Sequence, residues 1–196
     1  LRKISESIAQ DLSNTSWAFA TLSLGDRPLL AAISSASMRS LRPARPQDLA
    51  NTAWAFATLA GADLPLLDAI SAEAIRKLRD FLPQNHTNMA WSCSVLARCN
   101  LPLLAAIASE SLPTICEFNS QNLSNTAWSF ATLGRYHAPF LDAIASQSLR
   151  LISEAEAQDL ANTAWAYAVL DVGFSPLLES ISSSSRSLIR AQLFRA

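Results

Sequence analysis

The chain has 196 residues, half of them hydrophobic, with a formal net charge of −1 and three cysteines. Such a chain can bury a sizeable core, and it lacks the basic excess that is the usual footprint of nucleic-acid binding, so charge has to be sought by position. Cys93, Cys99 and Cys116 are odd in number and without CxxC spacing, which argues for a reducing compartment and against a disulfide framework. No uninterrupted apolar run reaches membrane-spanning length.

In chain order, residues 1–8 (LRKISESI) match the second half of a repeating unit, as in LRLIS at 149–153. They are expected to be the remnant of a preceding helix, in a piece of a longer protein. The units then run at about 9–45, 46–82, 83–119, 120–156 and 157–193. Each carries one tryptophan (Trp17, Trp54, Trp91, Trp128, Trp165) and one glutamine (Gln10, Gln47, Gln84, Gln121, Gln158) thirty-seven residues from the next. Five prolines keep the same period, namely Pro28, Pro65, Pro102, Pro139 and Pro176. A fixed period of this length is the signature of a stacked helical array. The expected fold is all-α, a right-handed solenoid of five helix-turn-helix units with about ten helices.

The second unit is the cleanest. Pro46, Gln47 and Asp48 open a helix through LANTAWAFATLA, which Gly61 should end. Asp63 should cap a second helix with Pro65 in its first turn, and the basic Arg76, Lys77 and Arg79 fall at its negative end. On a helical wheel the first helix has an apolar stripe of Leu49, Ala53, Phe56 and Ala60, leaving a narrow polar strip of Gln47, Asn51, Ala55 and Thr58. The second helix should bury Leu66, Leu67, Ile70, Ala74, Ile75 and Leu78 and turn Glu73, Arg76 and Arg79 outward. This pattern puts the first helices on the concave side and the second on the convex side. The third unit departs most, with His86 for the stripe leucine, Cys93 for an aromatic and Pro113 inside the second helix, where a kink or loosened unit is expected.

No catalytic constellation emerges. His86 and His137 do not pair by spacing with a cysteine, no ligand set suits a metal, and neither a GxSxG elbow nor a glycine-rich phosphate loop occurs. Gly25, Gly61, Gly134 and Gly173 read as helix terminators. The expectation is a non-enzyme without metal or cofactor.

Three ladders remain. The tryptophans could stack on bases, but large rings at helical spacing read more readily as packing between successive units. The asparagines Asn14, Asn51, Asn88, Asn125 and Asn162 recur inside helices that asparagine does not favour. They either satisfy buried polar groups between units or present an amide row to a bound polymer, and a residue identical in every unit cannot itself encode a sequence. The arginines Arg2, Arg39, Arg76 and Arg150 share one slot, and Arg42, Arg79 and Arg190 another three residues on. They compensate helix dipoles, or they line a basic edge that tracks phosphates, joined by Arg98 and Arg135.

The phrases QDLANTAWAFATL, QNLSNTAWSFATLG and QDLANTAWAYAVL resemble the unit signature of the octotricopeptide repeats and their heptatricopeptide relatives. These occur in organellar RNA-processing factors, some with FAST-kinase-like and RAP domains. The resemblance implies a helical-repeat protein that binds single-stranded RNA of mitochondrial or chloroplast transcripts, acting in their stability, processing or translation. On that reading Asn14, Asn51, Asn88, Asn125 and Asn162 meet bases, and Arg39, Arg42, Arg76, Arg79 and Arg150 meet phosphates. The rival expectation is a protein-interaction scaffold that holds an extended peptide on its concave face, as armadillo-type arrays do. Neither involves a membrane.

Overall fold

The computed structural model describes residues 8–59, 63–97 and 100–193. The expected remnant helix at the start, Gly61 as a terminator, and Arg2, Arg98 and Cys99 lie outside the described residues. Among the described residues every regular element is helical. The chain divides into two compact units, Leu1–Glu110 and Ser111–Ala196.

The first unit contains α1 (Ala9–Thr21), α2 (Arg27–Ser40), α3 (Pro46–Thr58), α4 (Leu64–Lys77), α5 (Pro83–Val95) and α6 (Leu101–Ser111). The second opens with a 3₁₀ segment, Leu112–Glu117, and continues with α7 (Ser120–Thr132), α8 (Ala138–Arg150), α9 (Ala157–Val169) and α10 (Ser175–Leu193). The odd-numbered helices start thirty-seven residues apart, and so do the even-numbered ones. Pro113 behaves differently from the expected interior kink. The α-helix stops at Ser111 and Pro113 sits in the first turn of the 3₁₀ segment, because proline cannot donate the bond that would continue the helix.

Local chemistry sets the boundaries. Second helices begin where a side chain accepts a backbone N–H: Asp26 from Leu29, Asp63 from Leu66 and Asn100 from Leu103, at 3.0 to 3.1 Å. His137 does the same for α8 through Nδ1, a cap no sequence preference had pointed to. Among the described residues a left-handed residue follows α1, α5, α7 and α9, namely Ser23, Ala97, Gly134 and Asp171, and glycine holds the position once. At Ser23, Gly134 and Asp171 paired 6→1 and 5→2 backbone bonds close the helix end. Gly25 and Gly173 fall two residues past the turn, so they are not the terminators.

In the first unit α3 packs between α1 and α5, and in the second α9 packs on α7. Leu49, Ala53 and Phe56 bury the apolar stripe of α3, and full burial of a leucine or phenylalanine contributes roughly 1.5–3 kcal/mol. Polar rungs tie neighbouring first helices: Ser13 Oγ donates to Asp48 Oδ1 at 3.3 Å, and Ser124 Oγ to Asp159 Oδ1 at 3.0 Å. Burial pushes the Asp48 carboxyl up, but the Arg45 guanidinium and N–H together hold it below the usual range. Two expectations for α4 are corrected. Glu73 is buried rather than outward, held by Lys77 at 3.1 Å and Arg76 at 2.9 Å, while Ile75 is exposed. Lys77 reaches on to the carbonyls of Arg42 and Ala44, pinning the turn before α3.

Candidate functional site

Each first helix keeps a partly solvent-facing stripe, at spacings of four, three and four residues. In α3 it is Gln47, Asn51, Trp54 and Thr58; Ala55, expected in the strip, is fully buried. The same four slots hold Gln10, Asn14, Trp17 and Thr21 in α1, and Gln84, Asn88, Trp91 and Val95 in α5. In the second unit they hold Gln121, Asn125, Trp128 and Thr132 in α7, and Gln158, Asn162, Trp165 and Val169 in α9. The glutamine and final slots are exposed throughout, and no asparagine or tryptophan in the stripe is fully buried.

The tryptophans therefore are not core. Trp17 and Trp165 are 48% and 44% exposed and the three between them are half-buried. Their rings stand next to one another along each unit, each tilted against its neighbour. Ring centroids lie 6.5 Å apart for Trp17–Trp54, 6.0 Å for Trp54–Trp91 and 6.1 Å for Trp128–Trp165, with planes tilted by 32° to 33°. The wheel carried the signal: Trp54 stands three residues after Asn51 and seven after Gln47, on the polar face.

Asn14 is exposed, while Asn51, Asn88, Asn125 and Asn162 are half-buried. One amide–amide rung forms, Asn162 Nδ2 donating to Asn125 Oδ1 at 3.4 Å. An amide in such a rung keeps a further donor and a carbonyl lone pair for a ligand, so the two expected roles are not exclusive.

The arginines stand apart from the stripe. Arg39 is exposed at the end of α2, where it donates to Ser35, and Arg42 is exposed in the turn leading to α3. Arg76 is paired with Glu73 at the end of α4, and Arg79 with Glu110 at a loose 3.8 Å. Arg150 is exposed at the end of α8. Surface pairs of this kind are worth little, so these groups could exchange partners for a phosphate. The turns before α3 and α5 bring Arg42, Arg45 and Arg79 to the glutamine end of the first unit's stripe, with Arg45 paired to Asp48 and Asp80 exposed beside Arg79. The corresponding turn of the second unit carries Glu154 and Glu156. Together with Gln121, Asn125, Gln158 and Asp159 these line a polar cavity of about 280 Å³. The guanidinium row is thus broken rather than continuous, and no first helix contains a lysine or arginine.

Among the described residues no group of three His, Cys, Asp or Glu is placed to hold a metal, and no helix is long and apolar enough to cross a membrane. No family model matches the chain, and no curated protein matches it.

Proposed function

We propose that this chain is a right-handed α-solenoid of five 37-residue units that binds single-stranded RNA without catalysis. Its first helices line the concave face, and their Gln–Asn–Trp stripes meet the bases. The observation that carries this reading is the exposed stripe. Indole edges and side-chain amides, repeated at each helix, supply stacking surface and both donors and acceptors for unpaired bases. Arg39, Arg42, Arg76 and Arg79 at the margin of the first unit, and Arg150 in the second, supply phosphate contacts. At one base per unit the footprint would be on the order of five nucleotides. The likeness of QDLANTAWAFATL to octotricopeptide and heptatricopeptide units supports organellar transcripts, mitochondrial or chloroplast, as the targets.

A second reading rests on one specific observation. The first helices carry no cation, so their face suits an extended peptide, whose backbone needs amide partners and no phosphate neutralisation. Salt-titrated binding to mixed single-stranded RNA and peptide pools separates the two. Under the RNA reading, Asn51→Ala with Asn125→Ala weakens binding with helicity intact. Arg39→Ala with Arg42→Ala weakens it for all sequences and flattens the salt dependence by roughly one unit of slope for each phosphate no longer neutralised. Salt-insensitive binding to the peptide pool alone would put the scaffold reading first.

A further inference from the structure

A small cavity recurs at the same place in both compact units, where the end of a second helix meets the start of the next first helix. In the first unit its wall includes Ser37 and Ser40 of α2, Ala44 of the turn, and Asp48 and Thr52 of α3. In the second unit the wall comes from the same slots three repeats further on, with Ser148 of α8, Ala155 of the turn, and Asp159 and Thr163 of α9. Each leaves about 10 Å³ for the centre of a water-sized sphere, which is room for one water rather than for an organic ligand.

Each cavity also holds a serine hydroxyl that no protein group answers. Ser37 is 5% exposed, and its Oγ is buried without a hydrogen-bond partner. Ser148 Oγ, in the same slot of α8, is buried and unpartnered in the same way. A buried hydroxyl left so costs its full desolvation, and folded proteins therefore bond nearly all such groups to protein or to internal water. The rest of the first wall complements Ser37. Thr52 Oγ1 donates its proton to the carbonyl of Asp48 at 2.7 Å, and Ser40 Oγ donates to those of Ala36 and Ser37, so both hydroxyls have only lone pairs left to offer. The Asp48 carboxylate is already filled by Ser13 and by the N–H and guanidinium of Arg45. Its charge is balanced, so the wall suits a neutral occupant that accepts one hydrogen bond and donates two.

The joint between α4 and α5 is built the other way. Ala74 takes the serine slot, Phe81 the slot of Ala44 and Met89 that of Thr52, and all three are buried. Loss of the hydroxyls goes with a gain of apolar bulk, so these substitutions compensate one another.

We infer that each of the two cavities binds one structural water. It accepts a hydrogen bond from Ser37 or Ser148 and donates to Thr52 or Thr163, tying the end of a second helix to the first helix that follows. Such a bridge is nearly as good enthalpically as a direct hydrogen bond. The joints after α2 and α8 are thus wet, and the joint after α4 is dry. Thr52 and Thr163 follow Asn51 and Asn162 in sequence, so the wet joints also anchor the helices that carry the exposed stripe.

A crystal structure of the chain at a resolution that shows ordered water, together with denaturant midpoints of three serine variants, tests this. Density for one water is expected within hydrogen-bond distance of Ser37 Oγ and of Ser148 Oγ, and none beside Ala74. Alanine suits the slot, as Ala74 shows, so Ser37→Ala and Ser148→Ala should fold. Ser146→Ala, exposed on α8, measures the helix-propensity gain of the exchange alone. If each cavity holds its water, the two buried variants remove the donor to it and their midpoints fall below that of Ser146→Ala. If the hydroxyls are unanswered, the same variants remove a desolvation cost and their midpoints rise above it. Midpoints equal to or above that of Ser146→Ala overturn the inference, and so does a structure lacking the density at either serine.

Discussion

His86 shows how one residue can make a helix sensitive to acid. It takes the stripe slot that Leu12, Leu49, Leu123 and Leu160 hold elsewhere, and it is 1% exposed against Phe81, ring centroids 5.3 Å apart. Burial pushes its pKa down to about 4. In the unfolded chain the group titrates near 6.5, so above that pH it is neutral in both states and costs nothing. Below 6.5 the unfolded chain takes up a proton that the folded chain refuses. Stability should therefore fall by roughly 3 kcal/mol between pH 6.5 and about 4, then level off. Denaturant midpoints measured across that range check it, and His86→Leu should remove most of the slope. An unchanged slope in His86→Leu would assign the acid sensitivity elsewhere. Trp54 gives a second expectation at this scale. Its ring is half-buried between Trp17 and Trp91, so Trp54→Ala should cost roughly 2 kcal/mol rather than the 3–5 of a fully buried aromatic. The same denaturant titration measures it.

At the scale of the helix, the turn after each first helix isolates the cost of backbone conformation. Gly134 sits at φ +61° with open space where a Cβ would stand, so Gly134→Ala should lose about 1 kcal/mol from left-handed strain alone. Ser23 occupies the equivalent position at φ +56°, and Ser23→Gly should gain roughly 0.5–1 kcal/mol. Thermal unfolding of the pair reads both signs; a stabilised Gly134→Ala would contradict the argument. The helix positions themselves were legible in the sequence. Pro46, Asp63 and the thirty-seven-residue period put α3 and α4 where they are found, since caps and prolines act locally. The left-handed turn was misplaced because glycine, the usual marker, sits there once while serine, alanine and aspartate fill the other described positions. Glu73 was also misread. A carboxylate is placed outward by pattern alone, whereas Lys77 and Arg76 on the same helix make its burial tolerable. The stripe was half legible. Its amides follow from the wheel, but Trp54 lies on the wheel at the border between the apolar stripe and Asn51, and a large ring at helical spacing reads there as packing.

Across the whole molecule, charge is distributed unevenly around a neutral stripe. The first unit carries its arginines at the stripe's margin, and the second carries Glu154 and Glu156 at the matching place. Composition had already shown a neutral total, but the break in the arginine row appears only when the slots are compared unit by unit. If RNA binds as proposed, the phosphate contribution comes mainly from the first unit, so its salt slope should be shallow for the length of chain covered. The stripe itself reports binding, because the tryptophans are partly exposed and belong to it. Titrating short single-stranded RNA at low salt while following intrinsic tryptophan fluorescence is thus the most direct test. The account predicts saturable quenching, weakened by Asn51→Ala with Asn88→Ala and by added salt. Fluorescence that is indifferent to RNA under these conditions, or quenched only by extended peptides, would contradict it.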